Sequence, residues 1–220
     1  MKSDQSPSGG KEEGEDILVH ILLRPVSRYF AKFFILLHLK PNIVSLLGLF
    51  VAFIAGYFFY LGDRTSLIYG AVITYITLIL SATDGEVARL THQQSKFGEF
   101  FDSSLDVTKF WLLFFSLSVG VYRTMGDVQT MLFGQFAGGA FLVGHYMRVY
   151  SYRIMGIRTF ELKFTKRFVF YFTIFIAFAM IIAAILNMVK PFLIAMAVIY
   201  PLTWLKKMHT VYKFMKRQQS

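Results

Sequence analysis

Residues 81–106 read SATDGEVARLTHQQSKFGEFFDSSLD, with an apolar run on each side. Asp84, Gly85, Ala88, Arg89, Gly98, Asp102 and Asp106 fall within this polar interval, so three carboxylates stand at the edge of hydrophobic segments. Ionisable groups are costly at depth in a bilayer. Such a cluster therefore marks a functional site, most economically a set of ligands for divalent cations.

Outward from this interval the chain is strongly apolar. It is 55% hydrophobic, 18% aromatic and 16% charged over 220 residues, a composition that excludes a soluble monomer. Apolar runs near 43–61, 66–82, 107–121, 130–147, 168–188 and 191–205 are each close to the ~20 helical residues that cross a hydrocarbon core of ~30 Å. The predicted fold is all-α: a polytopic membrane protein with six transmembrane helices and an N-terminal interfacial amphipathic helix. Residues 1–16, rich in Ser, Gly, Lys and Glu, read as a disordered tail. Residues 17–40 form the interfacial helix, 41–206 the six-helix membrane domain and 207–220 a basic cytoplasmic tail. The third run is the shortest by hydropathy alone. If it continues the segment carrying Asp102 and Asp106, its helix is longer than its apolar part.

Charge orients the bundle. All but three of the 23 Lys and Arg residues precede Asn42, lie in or beside the polar interval, fall in 148–167 or follow Leu205. Arg64, Arg123 and Lys190 are left for the other loops. Both termini and the acidic interval are thus expected on the cytoplasmic side of the cell inner (plasma) membrane. The net charge of +10 suits anionic lipid headgroups, and no nucleic-acid partner is expected. Arg24, Arg28 and Lys32 recur every four residues, which predicts a cationic flank facing lipid phosphates, with Pro25 interrupting or beginning the helix.

Cysteine is absent, so disulfides and thiolate metal sites are excluded. His20, His38, His92, His145 and His209 make no i,i+4 pair, and no histidine metal site is expected. A cleavable signal is not expected, because no apolar core follows the first lysine closely enough.

The polar interval suits two helices joined by a short turn. Asp84 lies at the exit of the second span, and Gly85 lets backbone or a nucleotide come close. Ala88 and Arg89 continue that helix, with Arg89 offering a forked cation to phosphate oxygens. Gly98 is expected to break the helix. A new one then stacks Asp102 and Asp106, four residues apart, on one face. Like charges held this close need cations, and oxygen ligands beside a phosphate-bearing substrate point to Mg²⁺ or Mn²⁺. A loop of solvated acids and an ion-coupled transporter are the alternatives. A transporter would spread its acids along a midplane path rather than gather them at one edge.

These residues resemble the motif of the CDP-alcohol phosphatidyltransferase family: D-x-x-D-G-x-x-A-R, eight residues, G, three residues, D, three residues, D. Asp84, Gly85, Ala88, Arg89, Gly98, Asp102 and Asp106 match, and the wording around them is similar to the members that use inositol phosphate. The remaining position is Ser81, where the family carries an aspartate that touches both metal ions. The resemblance implies transfer of a phosphoalcohol from a CDP-alcohol, either CDP-diacylglycerol or CDP-inositol, to a hydroxyl acceptor such as inositol phosphate, with release of CMP. It implies Asp84, Asp102 and Asp106 as metal ligands, Asp106 also as base, and a homodimer. Gly85, Arg89 and Ser95 match positions that contact the cytidine diphosphate, with Pro41, Asn42 and Ser45 adding to that pocket. Arg148, Arg153 and Arg158 supply cations for an anionic acceptor or belong to an ordinary cytoplasmic loop. For Ser81 three readings stand: a weakened enzyme, a nucleotide-binding pseudoenzyme, or an active parent altered at this position. Gly134, Gly138 and Gly139 form a small-residue face for close helix packing or a dimer contact.

Overall fold

The computed structural model describes residues 23–155 and 168–218, all in helices and the short turns between them. The helices are α1 (Arg24–Leu36), α2 (Pro41–Leu61), α3 (Arg64–Leu90), α4 (Lys96–Met125), α5 (Val128–Met155), α6 (Phe168–Ile185) and α7 (Val189–Gln218). Residues 1–22, and with them the expected tail, lie outside the described residues.

Local chemistry sets the helix ends. Pro25 and Pro41 begin α1 and α2, where a missing N–H costs nothing. Gly62, at φ 76°, takes the left-handed turn that stops α2, and Gly126, at φ 64°, does the same for α4. Asp63 caps α3 by accepting from the Ser66 amide at 3.0 Å. Ser95 caps α4 by accepting from the Gly98 amide at 3.0 Å, a contact worth about 1 kcal/mol. Gly98 therefore lies in the first turn of α4 and is not the breaker the sequence suggested. The break falls at 91–95, where His92 adopts a positive φ of 55°.

Asp127 begins α5 by accepting from the Thr130 amide and hydroxyl, and its carboxylate also takes the Lys190 ammonium at 2.7 Å. The Lys190 and Thr130 contacts hold its carboxyl well below the usual carboxylate range. A lowered folded-state value means the contact stabilises the fold above the ordinary value of 3.8 and is lost as pH falls below it. Thermal stability in detergent is thus expected to drop on acidification below about pH 4. The Asp127→Asn variant should show a shallower drop.

Four helices are long and apolar enough to cross a membrane among the described residues: α2, α3, α4 and the stretch Val189–Arg217. The described apolar part of α6, Ile174–Ile185, is shorter. The long apolar helices make this an integral membrane protein. Its outer surface agrees, since Phe50, Phe53, Tyr57, Leu132, Phe136 and Leu202 are exposed, a state that lipid favours and water does not.

Inside, α2 packs on α3 and α4, α5 on α4 and α7, α6 on α3 and α7, and α1 on α3. Phe59, Phe114, Leu117, Ile176, Met180 and Leu193 are fully buried in the main core. Phe114 stacks on Phe192 and meets Tyr200 edge-on. A smaller cluster of Ala31, Phe34, Val44, Leu80 and Val87 fixes α1 against α2 and α3. Small residues permit the close crossings. Gly134 faces Ser118 and Leu193, and Gly138 touches Phe114, whereas Gly139 has no described neighbour within 4 Å of a would-be Cβ. The expected packing face thus holds at Gly134 and Gly138.

Candidate active site

Helices α3 and α4 run antiparallel on either side of the turn at 91–95. Both continue as regular helix through the polar interval. Asp84, Asp102 and Asp106 therefore line one pocket of about 440 Å³ together with Ser81, Gly85, Arg89 and Lys109. Its deeper wall is apolar, with Leu113 from α4, Phe141 from α5 and Ile174, Ala177 and Met180 from α6. This size and mixed lining suit a small-molecule site.

Each carboxylate has a distinct setting. Asp84 is 3% exposed and accepts from the Ser45 hydroxyl at 2.6 Å, which ties the N-terminal part of α2 to α3. Asp102 lines the same pocket as Asp84. Asp102 Oδ1 is closed to solvent and has no hydrogen-bond partner among the described residues. Asp106 is different. Its Oδ1 accepts from the Ser81 hydroxyl at 3.0 Å and from the Lys109 ammonium at 2.6 Å. Lys109 also donates to Ser81 Oγ. Among the described residues no group of three or more His, Cys, Asp or Glu side chains is disposed to hold a metal ion as it stands. The three carboxylates share a pocket, and Asp106 Oδ1 is taken up by Lys109 and Ser81.

The remaining expected residues divide. Gly85 and Arg89 line the pocket. Asn42 lies at the start of α2 beside Gly98, whose would-be Cβ is 3.6 Å from Asn42 Oδ1, and Pro41 is the first residue of that helix. Ser95 is spent on capping α4 and is not among the pocket-lining residues. Arg148 and Arg153 occupy positions in α5, with side chains outside the description, and Arg158 lies outside the described residues.

Sequence reasoning missed two groups. Glu86, 8% exposed, pairs with Arg28 of α1 at 3.2 Å and with Arg89 one turn on. It latches the first helix to the third and fixes the guanidinium of Arg89. The flank read as facing lipid is corrected accordingly: Arg24 is buried and lines the pocket, Arg28 binds Glu86, and Lys32 is exposed. Lys109 was the second. Its i,i+3 spacing from Asp106 was a local signal, but its other contact, Ser81, lies 28 residues away.

With this geometry in place, comparison with known proteins adds the family. The model of the CDP-alcohol phosphatidyltransferase family matches residues 38–207. The chain belongs to that family. Archaetidylinositol phosphate synthase of Pyrococcus horikoshii is 29% identical over 184 residues, 82% of this chain and 86% of that one. An uncharacterised protein of Aquifex aeolicus is 31% identical over 111 residues, half of this chain and 53% of its own length. The crystal structure of Mycobacterium tuberculosis phosphatidylinositol phosphate synthase with CDP-DAG bound has a TM-score of 0.68 at 19% identity, covering 86% of this chain and 94% of that one. The same protein in complex with manganese and citrate has a TM-score of 0.69 at 18% identity, covering 84% and 88%. At such identities the likeness shows the shared fold. Family membership supports transfer of a phosphoalcohol from a CDP-alcohol, and the family is metal-dependent.

Proposed function

We propose that this chain transfers a phosphoalcohol from a lipid-bearing CDP-alcohol to the hydroxyl of an inositol phosphate, releasing CMP at the cytoplasmic face of a six-span bundle. The observation that carries the reading is the single pocket lined by Asp84, Asp102 and Asp106 of the family motif. The archaetidylinositol and phosphatidylinositol phosphate synthases among the relatives support the acceptor, and the CDP-DAG-bound relative supports the donor. The apolar wall of the pocket suits the hydrocarbon part of such a donor.

In the reaction the acceptor oxygen bonds to the β-phosphorus while the bond from that phosphorus to the bridging oxygen breaks. CMP leaves with the electron pair, and the hydroxyl proton passes to Asp106. Oδ1 of Asp106 is engaged by Ser81 and Lys109, which leaves Oδ2 to take that proton. Arg89 contacts the diphosphate from the rim, and Gly85 admits the nucleotide closely. Asp84 and Asp102 would hold a divalent cation, Mg²⁺ or Mn²⁺, and Asp102 Oδ1, without a partner among the described residues, fits that use. When bound, the ion offsets charge on the diphosphate.

A product assay with CDP-alcohol donors and inositol phosphate, glycerophosphate or amino-alcohol acceptors tests the reading. CMP with an inositol-phosphate lipid is the expected product pair. Thermal stabilisation by CDP with Mg²⁺ is expected as well, whereas a transporter would ignore cytidine. No CMP from any pair, together with no stabilisation, would overturn the proposal.

Glu86 offers a finer check. Its removal frees the Arg89 guanidinium without touching the carboxylates, so Glu86→Gln should raise the donor KM about tenfold with kcat changed less than about twofold. An unchanged KM would show that Arg89 needs no such anchor.

A further inference from the structure

We propose that Lys109 is a resident cation of this site, so that the carboxylate cluster takes one divalent ion rather than the two implied by the family's motif. The inference rests on the assignment of Asp84 and Asp102 as metal ligands made above.

A lysine that is 3% exposed needs partners for its ammonium, and Lys109 has them in Asp106 and Ser81. Both partners constrain it. The Ser81 hydroxyl accepts from Lys109 and donates to the same Asp106 oxygen that the ammonium binds, closing a three-membered arrangement across α3 and α4. Gly48 of α2 borders it, since a Cβ there would stand in ordinary van der Waals contact, 3.6 Å from Lys109 Nζ. The ammonium is thus seated by three helices, at the position where an acidic side chain of residue 81 would otherwise face Asp106.

Charge balance gives the consequence. Lys109 balances Asp106, and Asp84 with Asp102 carries the two negative charges that a single divalent ion neutralises. A second ion would have to enter beside a buried ammonium, without the carboxylate that residue 81 lacks, and would compete with Lys109 for Asp106. The two halves of the site are accordingly unlike. On the Asp84 and Asp102 side a buried oxygen stands without a partner among the described residues, while on the Ser81 side the oxygen is already bonded to a cation. Ser81 and Lys109 act together on the same oxygen of Asp106.

The test is Mn²⁺ titration of the full chain in detergent, read by electron paramagnetic resonance and calorimetry. The unaltered chain is expected to bind one Mn²⁺, with no spin-coupled pair, and Asp102→Asn should lose it. Ser81→Asp alone should still bind one, because the new carboxylate pairs with Lys109. Ser81→Asp combined with Lys109→Met should bind two. Two ions or a coupled pair in the unaltered chain would overturn the role of Lys109 and leave the metal assignment standing, an outcome that needs no variant to fold. A single ion in a folded double variant would overturn it likewise. No Mn²⁺ in the unaltered chain would instead overturn the assignment of Asp84 and Asp102, and this inference with it.

Discussion

Asp102→Asn should lower CMP release about a thousandfold, equivalent to about 4 kcal/mol of transition-state stabilisation, without loss of the fold. The size follows from what the side chain faces. Asp102 Oδ1 is shut off from solvent without a partner among the described residues, an arrangement that costs stability and persists where a site needs a charged oxygen in place. An amide keeps the shape, removes the charge and relieves repulsion from Asp84, so the thermal midpoint should stay level or rise. Asp106→Asn separates the two effects. It should cost a similar factor in rate, but it also strips a buried ammonium of its carboxylate. Breaking a fully buried pair costs about 3 to 5 kcal/mol, and the partial exposure of Asp106 reduces the expected loss to about 2 kcal/mol. Rate falls in both variants, whereas the midpoint falls only in the second. If Asp102→Asn keeps more than about a tenth of the CMP release, the cluster is not the reacting centre.

The contrast between these two aspartates shows where the sequence was legible. Their four-residue spacing put both on one face of a helix, and both line the pocket. Asp84 was also readable, because α3 runs unbroken from its Asp63 cap to Leu90. The turn between α3 and α4 was misread at Gly98 because glycine signals permission rather than instruction. The stronger local instruction was Ser95, whose hydroxyl accepts the Gly98 amide and starts α4 three residues earlier.

Partners distant in sequence were harder. Arg24, Arg28 and Lys32 do share a helical stripe, but their surroundings were decided by Glu86, 58 residues from Arg28, and by the pocket wall. Lys109 entered the sequence reading as one more cytoplasmic charge, and Ser81 as a missing carboxylate. Each was half of a contact that becomes visible when α3 and α4 face each other across the pocket.

Gly120→Ala and Gly139→Ala should change stability in opposite directions, although both add one methyl group to a glycine inside a helix. At Gly120 the new methyl would meet the Phe59 carbonyl and the Gly62 Cα, backbone atoms at the end of α2 that cannot rotate away. The two helices must separate, and overpacking of this kind costs about 1 to 3 kcal/mol. For a chain of this length that is a fall of roughly 5 °C in the midpoint. Gly139 has no described atom within 4 Å of the added carbon, so the helix gains the lower backbone entropy of alanine, about 0.5 to 1 kcal/mol. Unfolding in detergent followed by circular dichroism measures both. A loss at Gly139 as large as that at Gly120 would mean that another surface, such as a second copy of the chain, packs against that face of α5. Equal gains would mean that α2 and α4 do not cross at Gly120 as closely as the geometry requires.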